Sequence, residues 1–127
     1  MADKRQISSK NAPAAIGPYS QAMRSGNLIF CSGMIGIDPA TGTVPEGIEA
    51  QTRQVMKNIG ALLADNGANY HNIIKTTVFI KDMNDFAKVN EIYGSYFEEL
   101  PPARSTVEVS RLPKDVLVEI ESIVAVD

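Results

Sequence analysis

The chain has 127 residues, 44% of them hydrophobic and 21% charged, which suits one globular domain with one core. Its net charge of −3 and pI of about 5.1 argue against a nucleic-acid or anionic-membrane surface, which needs a basic footprint. No apolar run reaches the roughly 20 residues of a membrane span, and one cysteine with one histidine cannot build a Cys/His metal site within a subunit.

Met1 to Asn11 is polar and reads as a loose arm or a short edge strand, without the apolar core of a signal peptide. Ala12 to Tyr19 holds two prolines and a glycine, so it reads as a shaped loop. Ser25-Gly26-Asn27 separates two short runs, Ser20 to Arg24 and Leu28 to Ser32, and predicts a hairpin. Leu28 to Cys31 is apolar on both faces, as in a central strand. Ser32-Gly33-Met34-Ile35-Gly36 follows, where glycines permit a bulge or a close backbone approach. Asp38 to Gly42 reads as a turn.

Gly47 to Asn66 is the clearest helix, because Ile48, Val55, Ile59, Leu62 and Leu63 recur at three- and four-residue spacing. Ile73 to Ile80 is β-branched and reads as a strand; it follows a helix directly, which predicts a parallel crossover. Asp82 to Asp85 offers capping side chains to a second helix striped by Phe86, Val89, Tyr93 and Tyr96 or Phe97, which Pro101 and Pro102 end. From Pro101 to Val126, two alternating runs flank Leu112-Pro113-Lys114-Asp115, which predicts a second hairpin. In its second run Val116, Val118, Ile120, Val124 and Val126 share one face, apolar except for Ser122. The expected order is hairpin, helix, strand, helix, hairpin: an α+β single domain over residues 1–127, with one mixed sheet and two helices on one face. The other face carries enough aliphatic residues to predict self-association.

Five residues carry candidate chemistry. Arg104 follows two prolines that fix its entry path, and a guanidinium grips a carboxylate with two parallel hydrogen bonds; the alternative is a surface ion pair with Glu108 or Glu119. Glu119 lies among Val118, Ile120 and Ile123, where desolvation would raise its pKa and suit it to proton handling or to orienting water; the alternative is a solvated strand glutamate, and Glu121 competes on the same face. Tyr19 could hydrogen-bond a ligand or cap the core. Ser32 and Gly33 could present a hydroxyl and an amide to an anion, or simply form a strand-end bulge. Cys31 and His71 receive no role, because the thiol lies in an apolar strand and the imidazole in a polar loop. The lone thiol also makes a reducing cytoplasm the expected location. If the C-terminal hairpin turned at Pro113-Lys114, Glu119 would be level with Glu108 and about 13 Å from Arg104 along the strand. One hairpin would not bring them together, so the pocket is expected where subunits meet.

These residues resemble the reactive intermediate deaminases, the Rid or YjgF-like family, and its RidA branch most. The resemblance runs from Asn11 to Val126. It rests on Asn11-Ala12-Pro13-Ala14-Ala15-Ile16-Gly17-Pro18-Tyr19-Ser20-Gln21, on Ser32-Gly33, and on Lys75 to Met83 followed by Phe86 and Val89-Asn90. It rests further on Pro102-Ala103-Arg104-Ser105, Val107-Glu108-Val109, Arg111 to Asp115 and Val118 to Glu121.

The resemblance implies a chorismate mutase-like fold assembled as a homotrimer with clefts between subunits. It implies hydrolysis of enamine/imine intermediates, such as 2-aminoacrylate and 2-iminobutanoate released by pyridoxal-phosphate enzymes, to 2-oxo acids and ammonia. It carries the substrate-carboxylate arginine onto Arg104, the water-linked glutamate onto Glu119, and site residues onto Tyr19 and Ser32. It implies no metal and no organic cofactor, and small imino or enamino acids as partners. Two departures stand out: Thr106 where many relatives have Cys, and Met34 where many have Gln. The rival readings are a non-catalytic binder of small carboxylates and a ribonuclease or translation inhibitor.

Overall fold

The computed structural model describes residues 3–127. Its strands are β1 (Arg5–Ile7), β2 (Ala22–Ser25), β3 (Leu28–Ile35), β4 (Ile73–Ile80), β5 (Ala103–Glu108) and β6 (Val118–Ala125). The helices are α1 (Ile48–Ala64) and α2 (Phe86–Gly94). The strands form one sheet in the order β1-β2-β3-β6-β4-β5.

The hairpin of β2 and β3 turns at Gly26, whose φ of 60° is the left-handed conformation that glycine takes freely. β1 forms one edge by pairing with β2, as a short polar arm should. α1 begins one residue after Gly47, and Gly67 stands at its far end with φ 76°. The helix buries Val55, Met56, Ile59, Leu62 and Leu63 against the sheet, each side chain worth about 1.5–3 kcal/mol of hydrophobic burial. β4, α2 and β5 make a parallel crossover. β3 and β4 are also parallel, but β6 lies between them and runs antiparallel to both.

That arrangement corrects the C-terminal hairpin. β5 and β6 do not pair with each other; β4 separates them. The Leu112–Val116 turn is real, but it carries the chain across β4 instead of folding one strand onto the next. The predicted core face of β6 holds, with Val118, Ile120, Ser122 and Val124 all buried.

Three cross-strand rows define the two faces of the sheet. Cys31, Ser122, Thr76 and Arg104 form a row on the helix-covered face, and the first three are buried. Ile35, Glu119, Phe79 and Val107 form a row on the opposite face. Met23, Phe30, Ile123, Lys75 and Ala103 form a third, on that same open face, with Phe30 45% exposed. A smaller cluster of Ile35, Ile37, Leu112 and Val116 packs beside Phe79 and Val109. No helix is long and apolar enough to cross a membrane among the described residues.

Candidate active site

The register of β3 against β6 shifts between Cys31 and Met34, so Ser32 and Gly33 form a bulge. The bulge and the close approach expected there coincide. A Cβ on Gly33 would collide with Oε2 of Glu119 and lie 2.8 Å from its carboxyl carbon. Glycine is therefore what lets the Glu119 carboxylate rest on the β3 backbone. From α1, Asn58 Nδ2 donates to the carbonyls of Ile35 at 3.2 Å and Ile37 at 2.8 Å, fixing the strand end beyond the bulge.

Glu119 is half-buried and forms no hydrogen bond or ion pair with the described residues. Burial pushes its pKa above the usual glutamate value, and the Glu121 carboxylate adds to the rise. The sequence left Glu121 as a competitor on this face; it is exposed, so Glu119 is the desolvated member of the pair.

The loop from Asn11 to Ser20 is held by Gln21. Its Nε2 donates to the carbonyls of Ser9 at 3.1 Å and Pro13 at 2.7 Å, while its Oε1 accepts from the Ser9 amide at 2.8 Å. Ser32 Oγ donates to the Ser20 carbonyl at 2.6 Å, and its amide donates to the Gln21 carbonyl at 3.0 Å. These bonds place Tyr19, 46% exposed, beside the bulge; its hydroxyl accepts from the Ile16 amide at 3.3 Å. A crevice of about 30 Å³ lies among Ile16, Tyr19, Ser32, Gly33, Met34 and Ile37, room for a water molecule beside polar groups. Met34, one of the two departures, is part of that wall.

Arg104 lies elsewhere. It is half-buried under α2, with its guanidinium carbon 5.0 Å from the Tyr93 ring centre and 5.5 Å from that of Phe86. Nη1 donates to Asn90 Oδ1 at 2.7 Å. Tyr93 is fixed by a 2.6 Å bond between its hydroxyl and Thr76 Oγ1. Burial pushes the Tyr93 phenol up, partly offset by the Thr76 bond and by the Arg104 charge. Phe86, Asn90 and Tyr93 stand at i, i+4 and i+7, one face of α2 closed on one cation. The alternative, an ion pair with Glu108 or Glu119, is not formed among the described residues; Glu108 instead accepts from the Met83 amide at 3.2 Å. Asn90 occupies one end of the guanidinium and leaves the Nε/Nη2 edge free to take both oxygens of a carboxylate.

Tyr19, Ser32, Gly33 and Glu119 therefore gather around one bulge, and Arg104 does not join them. Arg104 is level with Ser122 across the sheet, three positions from Glu119 and on the other face. Two strand spacings and three residue rises separate their backbones by about 14 Å. Sequence reasoning gave no roles to Gln21, Asn90 or Tyr93. The spacing of Asn90 from Phe86 and Tyr93 was the available signal. Cys31 is buried, and burial pushes its thiol up, against a smaller lowering by Ser122.

The Endoribonuclease L-PSP family model matches residues 9–126. The chain belongs to this family. The E. coli K12 protein named 2-iminobutanoate/2-iminopropanoate deaminase is 52% identical over 122 residues, covering 94% of this chain and 95% of that one. The solved structure of YyfA from Yersinia pestis, described as a conserved Rid family protein, aligns at TM-score 0.95 with 53% identity, over 98% of this chain and 100% of that one. E. coli TdcF, solved with bound serine, aligns at TM-score 0.93 with 43% identity, over 97% of this chain and 99% of that one. The Rid resemblance and the α+β fold read from the motifs are thus both right. The chain holds the residue set that the resemblance singles out in two separated groups.

Proposed function

We propose that this protein is an enamine/imine deaminase that converts small 2-imino acids to 2-oxo acids and ammonia, at sites completed between protomers. The observation that carries the reading is the Glu119 carboxylate, desolvated over Gly33 and beside a water-sized crevice, with no cation of its own. A carboxylate with a raised pKa is a better base than an ordinary one at neutral pH. The deaminase name of the relative at 52% identity and the serine bound by the relative at 43% support an amino-acid-like ligand.

Arg104 of one protomer takes the substrate carboxylate along its free Nε/Nη2 edge and orients the C=N bond. An enamine first becomes the imine by protonation at carbon, with Tyr19 or water as donor. Water then bonds to the imine carbon, and its proton passes through Glu119 to the nitrogen. The resulting carbinolamine passes its hydroxyl proton, through Glu119 or water, to the nitrogen as the C–N bond breaks, releasing ammonia and the 2-oxo acid. Imines of this kind also hydrolyse unaided, so a few hydrogen bonds of about 1–3 kcal/mol each suffice for useful acceleration.

This reading calls for an assembly such as a homotrimer. Exposed Phe30, flanked by the half-buried Met23 and Ile123 on the open face, gives a second copy something to bury, and the separation of Arg104 from Glu119 gives it a residue to supply. The acidic charge balance does not favour the ribonuclease reading.

Coupling threonine dehydratase to this protein and following imine decay tests the proposal. Wild type is expected to accelerate decay, and Arg104→Ala to lose about 100-fold in kcat/KM. Equal decay with and without the protein would overturn the deaminase reading.

A further inference from the structure

The Leu112–Val116 turn contains an unexplained feature. Lys114 has φ 54° and Asp115 φ 56°, two consecutive left-handed residues with no glycine. Lysine seldom adopts this conformation, and such outliers gather where function holds them. Asp115 has a local partner, because Arg111 Nε and Nη2 donate to its carboxylate at 2.7 and 3.3 Å. Lys114 has none: its ammonium forms no hydrogen bond or ion pair with the described residues.

Lys114 instead borders a cavity of about 600 Å³ between this turn and the N-terminal loop. The cavity is contiguous with the Tyr19 crevice, sharing Tyr19, Ile16 and Ile37 with it. Lys10 and Lys114 are the charged residues of its lining, and no carboxylate lines it. Nearby acids are engaged or turned to other partners. Asp65 bonds Ser9 and Asn11, Asp38 accepts from the Ala40 amide, and Asp115 holds Arg111. A protein of net charge −3 thus puts two lysines, and no carboxylate, in the lining of the space that leads to its proposed site.

We propose that this cavity is an anion-capturing mouth, in which Lys10 and Lys114 draw the carboxylate of a 2-imino acid toward Tyr19 and Gly33. The inference rests on the deaminase reading. An enzyme whose substrate decays unaided gains most from fast capture, and a positive mouth on a negative body focuses anions onto one opening. Lys114 lines the cavity from within that left-handed turn.

The test uses Lys10→Gln, Lys114→Gly and the double variant in the full-length protein. Glycine accepts the left-handed turn freely, so Lys114→Gly is expected to melt at or above the wild-type temperature. The double variant should lose about fivefold in kcat/KM at low salt with kcat unchanged, and the two proteins should converge toward 1 M salt, where the screening length is about 3 Å. An equal salt dependence in wild type and double variant, or a loss that persists at high salt, overturns the proposal. Should wild type hydrolyse no imine, the deaminase reading falls separately. Association rates for 2-oxobutanoate then decide the mouth, and equal rates in the two proteins overturn it.

Discussion

Glu119 and Arg104 occupy the same sheet, two strands apart, and live in opposite circumstances. Arg104 sits on the helix-covered face, bonded by Asn90 and flanked by two rings. Glu119 sits on the open face over a glycine, without a partner and with its proton held more tightly than usual. In the proposed function, the cation pre-set in a cradle and the carboxylate left unneutralised are each half of an acid-binding, water-activating site. Had they formed an ion pair within one chain, the carboxylate would lose its raised pKa and the guanidinium its free edge. Separation within the protomer preserves both.

The most direct way to break this contrast is subunit mixing. Arg104→Ala and Glu119→Gln are each expected to lose about 100-fold in kcat/KM alone. Co-refolded in equal amounts, they should regain a substantial fraction of wild-type activity, because some interfaces then pair an intact Arg104 with an intact Glu119. No recovery would place both residues in one protomer's site. Gly33→Ala is expected to be smaller in effect, about tenfold in kcat, because the new methyl pushes the carboxylate aside while leaving the backbone in place. A melting curve close to wild type would show that the loss is positional.

Two stability measurements sharpen the contrast further. Burial and Glu121 favour the protonated form of Glu119, so the native state binds a proton more readily than the unfolded chain. That contribution is fully present below the ordinary glutamate pKa and is lost as pH rises through the higher folded value. Glu119→Gln should therefore match wild type in acid and become more stable above that window, by no more than about 1 kcal/mol for a half-exposed group. Urea titrations across pH check this, and a difference that shrinks with rising pH would contradict it. On the cradle side, the Thr106 hydroxyl is buried without a hydrogen-bond partner among the described residues. Thr106→Val should stabilise by about 0.5–1 kcal/mol, read as a shift in urea midpoint.

Much of this was legible in the residues. Three- and four-residue spacing located α1, Gly26-Asn27 located the first hairpin, and alternation identified the buried face of β6. The C-terminal hairpin failed for a physical reason. Alternation shows which face of a strand is buried but not which strand lies beside it, and the tie between β5 and β4 is made through α2. Tyr19, Ser32, Gly33 and Glu119 could be nominated singly, but their convergence depends on the bulge and on Gln21 bonds that span the loop. Asn90 was visible as part of the Val89-Asn90 motif and as a polar position on a helical face, but its partner, Arg104, comes from a later strand.

The order of the strands bears on how the protein is made. β6 lies between β3 and β4 yet follows both in the chain, so a polypeptide emerging from the ribosome cannot close its sheet until residues 118–125 have appeared. Until then β3 and β4 each present an unpaired edge to solvent or to a chaperone. The last strand to appear is thus the keystone, and cooperative closure of the sheet must await it.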